Sequence, residues 1–296
     1  MIGRRAVLGG IGLSGLSACV PIDQSPLGRI NAKLRIIEAA SGGTLGVAMY
    51  KTLTGATAGL NRFERFGHCS SFKLSLAAML LSKDASGAID AEELVRWTKD
   101  DLLSHAPFTT ERLGQGATLR ELARAAQVLS DNTATNLLLQ RLGGPEGMTA
   151  FWREIGDVSS RLDRMEPELN NVPAGEVRDT TTPDSMVRTV ARLLFGNVLD
   201  RDNRATLLKW TVDTATGLQR VRAGLPSDWS AGDKTGTSHW PGMQPLYVDI
   251  GWVEPAGHPP TCFAVYHHTK DGPETTTRAN LVMQQVGEVI ADFATA

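Results

Sequence analysis

The chain has 296 residues, of which 42% are hydrophobic and 21% charged, and its formal net charge is -2 at pH 7. This length is enough for one large domain or two smaller ones with a real hydrophobic core. A charge this close to zero gives no general field for nucleic acid or an anionic membrane, so we exclude both as partners.

The N-terminus has the pattern of an export signal. Arg4-Arg5 precedes an apolar, glycine-rich run over residues 6–18, which is too short to span a bilayer. The paired arginines indicate the twin-arginine route to the periplasm. Leu16-Ser17-Ala18-Cys19 resembles the lipobox of bacterial lipoproteins, in which the cysteine is lipidated and anchors the chain. An unprocessed tail is the alternative, and the sequence leaves open whether Cys19 carries a lipid.

The first predicted elements are a helix and a two-stranded hairpin. Apolar residues recur at helical spacing from Ile30 to Ile37, and Gly42-Gly43 ends the helix. Residues 45–54 alternate as in a strand. After a turn at Gly55, residues 61–66 predict a second strand that pairs with the first.

The middle of the chain, from Ser70 to Trp210, is mostly helical in pattern. The segment that follows Lys73 is apolar on every side, which predicts a helix in the centre of a domain. Between Arg161 and Thr182 no period holds, and such a long irregular stretch is usually functional or disordered. Further helices are predicted at residues 90–97, where Asp90 and Glu93 resemble a capping box, and at 118–129, 132–142, 145–155, 183–195 and 203–210.

Strand patterns return near the C-terminus, at residues 231–237, 246–253 and 261–268, followed by an amphipathic helix at 278–293. Short turns between strands predict an antiparallel sheet. The fold class is therefore α/β (α+β), with helices from both termini flanking the sheet and an all-α domain inserted into it. The predicted boundaries are a signal at 1–19, a linker at 20–27, an α/β domain at 28–61 and 213–296, and an all-α domain at 62–212 with a loop at 161–182.

Three short motifs carry chemistry: Ser70-x-x-Lys73, Ser130-Asp131-Asn132 and Lys234-Thr235-Gly236-Thr237. Each alone has an ordinary explanation, as helix caps, a surface lysine or a glycine turn. Together and in this order they resemble the motif set of class A serine β-lactamases and penicillin-binding proteins. The resemblance covers residues 28–296 and implies the β-lactamase/transpeptidase fold with a five-stranded sheet.

The chemistry explains these residue types. A serine hydroxyl is a poor nucleophile until a base removes its proton. Lys73 can be that base if burial and a nearby like charge, for which Lys234 is the candidate, lower its pKa. The resemblance implies that Ser130 relays a proton to the lactam nitrogen. It also assigns the two oxyanion donors to the backbone N–H groups of Ser70 and Thr237.

The irregular stretch distinguishes between relatives. Arg164-Met165-Glu166-Pro167-Glu168-Leu169-Asn170 and Arg178-Asp179 resemble the Ω-loop of class A β-lactamases. The resemblance implies that Glu166 and Asn170 hold the hydrolytic water and that Arg164 pairs with Asp179. It also implies a cis bond between Glu166 and Pro167. The alternative is a solvated acidic loop.

Other positions are assigned to substrate binding by the same resemblance: Asn132, Lys234, Thr235, Thr237, Arg220 and His105. Arg220 resembles an arginine that binds the substrate carboxylate, and His105 resembles a residue at the rim. A surface arginine and a solvated histidine remain open alternatives.

Two features depart from the pattern. A proline-containing connection at residues 238–245 borders the substrate pocket and leaves substrate preference open. Cys69 resembles the cysteine that carbapenem-hydrolysing members join to position 238, but here that position is Ser238. Cys69 and Cys262 form no disulfide framework. The two cysteines therefore give no basis for predicting carbapenemase activity, and the sequence leaves it open.

The predicted function is hydrolysis of penicillins and cephalosporins through a Ser70 acyl-enzyme, which confers antibiotic resistance. We predict a monomer with no cofactor. No metal site is predicted either, because the neighbours His267 and His268 point to opposite faces of a strand. Two alternatives remain: a D-alanyl-D-alanine carboxypeptidase or transpeptidase, and a sensor domain that is acylated once.

Overall fold

The computed structural model describes residues 25–270, 272 and 274–296. The predicted signal, Cys19 and most of the predicted linker lie outside the described residues. The first helix begins at Pro26, with the Ser25 hydroxyl accepting a hydrogen bond from the Gly28 N–H. Residues 26 and 27, predicted as linker, are therefore helical.

A five-stranded antiparallel sheet joins the two ends of the chain, which confirms the predicted sheet. The strands lie in the order β2-β1-β9-β8-β7. Because β1 pairs with both β2 and β9, the first strand of the sequence lies inside the sheet, whereas β7 forms an edge. The bounds are β1 Thr44–Lys51, β2 Thr57–Leu60, β7 Ser230–Ser238, β8 Leu246–Glu254 and β9 Thr261–His268.

The terminal helices α1 Pro26–Ser41 and α9 Thr275–Thr295 pack on one face of the sheet. Their apolar stripes contribute Leu34, Val286 and Ile290 to a core shared with Phe263 of β9. Burial of such side chains stabilises the layer by about 1.5–3 kcal/mol each. The C-terminal helix is thus part of the same layer as the N-terminal one, as predicted.

The helical segment packs around α2, which is buried on every side from Lys73 to Leu81. This confirms the prediction of a central helix. The helices are α2 Lys73–Ala85, α3 Pro107–Glu111, α4 Leu119–Val128, α5 Asn132–Arg141, α6 Gly144–Glu154, α7 Pro183–Phe195 and α8 Arg201–Val212.

The sequence predicted an all-α domain here, but the segment is not purely helical. It contains two short antiparallel pairs. They are β3 Phe66–Gly67 with β6 Thr180–Thr181, and β4 Leu94–Val95 with β5 Ala117–Thr118. The first of these pairs joins the C-terminal end of the irregular stretch to the residues just before the Ser70 turn.

Two predicted elements are wrong. Residues 90–97, predicted as a helix from Asp90 and Glu93, form a turn followed by β4. The Leu119 N–H donates to the Glu93 carbonyl, so this backbone pairs with a distant segment instead of coiling.

The second hairpin strand spans Thr57–Leu60 instead of residues 61–66. Asn61 has a φ of 48°, and its side-chain amide donates to the Leu45 carbonyl at 2.9 Å. The chain therefore turns away from the sheet where the alternation predicts a strand.

Among the described residues, no helix is both long and apolar enough to cross a bilayer.

Candidate active site

The turn that contains Ser70 packs against the edge strand β7. Ser70 lies in a 3-10 turn, Cys69–Phe72, that leads directly into α2. A Cβ built on Gly236 would lie 2.8 Å from Cys69 Cβ and 3.0 Å from the Ser70 nitrogen. Glycine is required here because any side chain would push the strand away. The close approach brings Ser70 and Thr237, the residue after Gly236, into the lining of one cavity.

Lys73 is fully buried beneath this turn. Its Nζ donates to Asn132 Oδ1 at 2.6 Å and to the Ser130 carbonyl at 3.1 Å, and it lies 3.0 Å from Glu166 Oε1. Burial lowers the pKa of Lys73, while the Glu166 carboxylate opposes that shift. An ammonium held in this way can release a proton more readily than a lysine in water.

Lys234 faces Ser130 from β7. Its Nζ donates to Ser130 Oγ at 3.1 Å and to the Thr235 carbonyl at 2.8 Å. Burial and the charge of Lys73 lower the pKa of Lys234 well below its ordinary value. The predicted like-charge effect thus acts on Lys234, whereas burial is the main cause for Lys73.

The irregular stretch places a carboxylate over the same site. The Glu166–Pro167 peptide bond is cis, as predicted. Glu166 is 3% exposed, and Asn170 Nδ2 donates to its Oε2 at 2.8 Å. Asn170 also donates to the Pro167 carbonyl at 3.0 Å. A carboxylate and an amide that share one cavity can both hydrogen-bond a water molecule there.

Asn136 of α5 anchors Glu166 and was not singled out from the sequence. Its Oδ1 accepts from the Glu166 N–H at 3.0 Å, and its Nδ2 donates to the Glu166 carbonyl at 2.8 Å. Asn136 lies one helical turn after Asn132, so both face the site. That spacing is the signal that could have identified it.

Asp179 closes the neck of the Ω-loop. Its Oδ2 accepts from Arg164 Nε at 2.5 Å, which confirms the predicted ion pair. Its Oδ1 accepts from the backbone N–H groups of Asp163, at 2.7 Å, and Arg164, at 2.9 Å. Burial raises the pKa of Asp179, and these hydrogen bonds and the arginine oppose that shift.

The remaining predicted residues line the rim. Arg220 is buried, so the alternative of a surface arginine is wrong. His105 is exposed, with its Nε2 3.0 Å from the Leu129 carbonyl. Thr235 Oγ1 shares a hydrogen bond of 2.6 Å with Thr216, a residue not predicted from the sequence.

Position 238 makes a polar link instead of a disulfide. Ser238 Oγ donates to the Asn170 carbonyl at 3.1 Å, which joins the end of β7 to the Ω-loop. Cys69 and Cys262 are free and buried. Burial raises the pKa of the Cys69 thiol, so it stays protonated beside Ser70.

Two cavities lie near the Ω-loop. The larger, of about 680 Å³, is behind residues 172–177 and contains none of the predicted site residues. The smaller, of about 320 Å³, brings together Ser70, His105, Ser130, Asn132, Glu166, Asn170, Thr216, Arg220, Thr235, Gly236 and Thr237. Most of the sequence-predicted site residues therefore line one cleft between the sheet edge and the helical segment. Lys73 and Lys234 lie buried behind it, against Glu166 and Ser130, and Arg164 and Asp179 lie at the neck of the loop.

A sequence model of the Beta-lactamase enzyme family matches residues 29–294. The chain belongs to this family. Among characterised relatives of this β-lactamase, Beta-lactamase FAR-1 of Nocardia farcinica is 41% identical over 80% of this chain and 75% of the relative. The Carbapenem-hydrolyzing beta-lactamase KPC of Klebsiella oxytoca is 41% identical over 78% of each chain.

Solved structures place this β-lactamase in class A. An ancestral class A β-lactamase superposes with a TM-score of 0.85 at 41% identity, covering 89% of this chain and 99% of the other. A β-lactamase from Xanthomonas campestris pv. campestris gives a TM-score of 0.86 at 34% identity, covering 92% and 99%. The predicted fold and family are confirmed.

Proposed function

We propose that this class A β-lactamase hydrolyses the amide of penicillins and cephalosporins through an acyl-enzyme on Ser70 and so confers resistance to them. One observation carries the proposal: the Glu166 carboxylate, held by Asn170, lies in the same cleft as Ser70 and 3.0 Å from Lys73 Nζ. This arrangement supports a hydrolase because the ester on Ser70 needs a base to activate water.

In acylation, Ser70 Oγ attacks the lactam carbonyl carbon and loses its proton to a base. The structure is compatible with Lys73 in this role and with Glu166 acting through a water molecule. The backbone N–H groups of Ser70 and Thr237 stabilise the oxyanion. Ser130, fixed by Lys234, relays a proton from the base to the lactam nitrogen as the carbon–nitrogen bond breaks, so the proton lost by Ser70 is balanced by the one gained by the nitrogen.

In deacylation, water bound by Glu166 and Asn170 attacks the ester carbonyl. Glu166 accepts a proton from that water, and Lys73, 3.0 Å from Glu166, passes a proton to the ester oxygen, which leaves as the Ser70 hydroxyl. Arg164 and Asp179 support this step by holding the loop closed. Proton transfer of this kind contributes about 10²–10⁴-fold to the rate.

Substrate recognition is assigned to the rim. Arg220 and Thr235 line the cleft and offer cationic and hydroxyl donors to the carboxylate that penicillins and cephalosporins carry, and the buried Lys234 adds a positive charge beside Thr235. Asn132 and Thr237 lie where they can contact the acylamido side chain. His105 borders the entrance as an exposed ring.

A turnover assay with benzylpenicillin and a chromogenic cephalosporin tests the proposal. A hydrolase gives many turnovers per molecule. A single equivalent of consumed penicillin, followed by a stable adduct, would instead indicate a D-alanyl-D-alanine enzyme or a penicillin sensor. Hydrolysis of a D-alanyl-D-alanine peptide would then separate those two alternatives.

We also propose that the protein is exported as a monomer, with the first 19 residues as its signal and Cys19 as the site of a lipid. Support comes from the Arg4-Arg5 pair and the sequence Leu16-Ser17-Ala18-Cys19. Mass spectrometry of the exported protein would show the lipid and the mature N-terminus. Light scattering of the purified protein would show the oligomeric state.

A further inference from the structure

Arg220 is held in the wall of the cleft by three hydrogen bonds. Its Nη1 donates to the carbonyl oxygens of Gly236, at 2.8 Å, and Val248, at 2.6 Å. Its Nη2 donates to Thr237 Oγ1 at 2.6 Å. A guanidinium has five N–H donors, so two remain after these bonds. Because Arg220 lines the cleft, these donors can serve a substrate anion.

Tyr247 covers one face of this guanidinium. Arg220 Cζ lies 5.3 Å from the centroid of the tyrosine ring, within the range of cation–π attraction. Tyr247 stands opposite Thr237 in the register of β7 and β8, so the two side chains share a face of the sheet. The position of the ring therefore helps to set the position of the guanidinium.

Two residues from different parts of the chain fix the Tyr247 hydroxyl. It lies 3.0 Å from His239 Nε2 and 2.7 Å from Thr276 Oγ1. The His239 ring also packs edge-on against Tyr247, with 5.5 Å between centroids. His239 belongs to the connection that follows β7, and Thr276 belongs to the first turn of α9. These contacts tie both segments to the ring beside Arg220.

We propose that His239, Tyr247 and Thr276 are positioning residues, which orient Arg220 toward the carboxylate of the bound β-lactam. The inference rests on the proposed function and extends it to the unusual connection at residues 238–245. The three residues act through Arg220 on a group distant from the scissile amide. A change in them therefore weakens substrate binding and leaves the chemical step at Ser70 unaltered.

The test compares Tyr247→Phe with the wild-type enzyme on two substrates, benzylpenicillin and its methyl ester. The variant keeps the ring but lacks the hydroxyl. We expect KM for benzylpenicillin to rise about fivefold, the effect of one neutral hydrogen bond, with kcat unchanged. The ester has the same amide but no anion, so its kcat/KM should be the same for both enzymes.

His239→Ala, alone and combined with Tyr247→Phe, tests whether the residues act as a chain. Alone it should raise KM. In the Tyr247→Phe background it should raise KM by less than it does alone, because the hydrogen bond to the hydroxyl is already lost and only the ring contact remains to be removed. Tyr50→Phe is the matched control. The Tyr50 ring also packs against an arginine, with Arg188 Cζ 5.4 Å from its centroid, but it lies on β1 away from the cleft. Its kinetics should match the wild type.

Equal losses on the acid and the ester would indicate a general distortion and overturn the inference. An unchanged KM in Tyr247→Phe would also overturn it. If the wild-type enzyme hydrolyses benzylpenicillin in either case, the proposed function stands and the positioning chain alone is wrong. Absence of wild-type turnover would instead contradict the proposed function.

Discussion

Lys73 Nζ and Glu166 Oε1 lie 3.0 Å apart, with side chains that are 0% and 1% exposed. At this distance the carboxylate affects the pKa of the lysine. Glu166 opposes the lowering of the Lys73 pKa by burial, so removal of the carboxylate would lower that pKa further. The lysine would then be a stronger candidate for the acylation base at the same time as the deacylation base is lost.

This relationship predicts the behaviour of Glu166→Ala. The variant should still acylate with benzylpenicillin, and kcat should fall by about 10³ because the ester is no longer hydrolysed efficiently. Mass spectrometry should show the protein plus one penicillin. Glu168→Ala, an exposed carboxylate on the same loop, is the control and should retain wild-type turnover without an adduct. Rapid turnover by Glu166→Ala would remove Glu166 from deacylation.

Gly236→Ala should slow acylation. Its methyl group would meet Cys69 Cβ at 2.8 Å and the Ser70 nitrogen at 3.0 Å, so β7 must move away from Ser70 and the two proposed oxyanion donors, on Ser70 and Thr237, must separate. Loss of one such donor costs about 10²–10³ in rate, which a stopped-flow acylation assay measures. Gly87→Ala is the control for the acylation rate, which should stay at the wild-type value. Its methyl group meets nothing within 4 Å and it lies after α2, so the strain of alanine at a φ of 73° lowers stability without moving β7. An unchanged acylation rate in Gly236→Ala would contradict the proposed oxyanion site.

Arg164→Ala should destabilise the fold by about 3 kcal/mol, because it leaves Asp179 buried and without its ionic partner. Urea denaturation measures the change in the free energy of unfolding. Arg178→Ala is the matched comparison, since Arg178 and Glu176 form an ion pair on the exposed side of the same loop. Its unfolding curve should stay close to that of the wild type. Similar losses in both variants would refute the special role of the buried pair.

His68 should make the fold sensitive to acid. It is buried and stacked on Trp152 at 4.8 Å, and burial lowers its pKa from 6.5 to about 4, with Asp157 opposing. The unfolded chain binds this proton more readily, so stability falls as the pH drops from about 6.5 to about 4. The loss reaches about 3 kcal/mol.

His68→Phe should remove this part of the pH dependence while keeping an aromatic ring against Trp152. Denaturation curves measured from pH 7 to pH 4 should show that the free energy of unfolding of the variant increases relative to that of the wild type as the pH falls. His258→Gln, at an exposed position, should follow the wild-type curve. A constant difference between His68→Phe and the wild type at every pH would exclude the histidine as the cause.

Most of the fold was predictable because its elements have strong local patterns. The helices and strands that were predicted after residue 118 agree with the observed ones to within three residues at each end, whereas the short strand β6 was not predicted. The errors lie where distant pairing decides the backbone. The segment that begins at Asp90 has the sequence pattern of a helix N-cap, yet its Glu93 carbonyl accepts a hydrogen bond from the Leu119 N–H. Such a long-range contact cannot be recognised from a short stretch of the sequence.

The site was predictable to the extent that its residues form short motifs. Ser70 and Lys73 are three positions apart, and Glu166 and Asn170 are four apart, so each pair is visible along the chain. Asn136 was missed because its partners are backbone groups of Glu166, thirty positions away. Burial of Arg220 was equally hidden, since it depends on Tyr247 and β7.

The pairing of β1 with β9 has a consequence for how the enzyme is made. Every residue proposed to do chemistry lies between Ser70 and Thr237, so a ribosome has synthesised the whole catalytic set well before it finishes the chain. At that moment β1 still lacks the neighbour that follows residue 260. Contacts this far apart in sequence form slowly. A message cut short after Thr237 would thus encode all the reactive groups and no working enzyme.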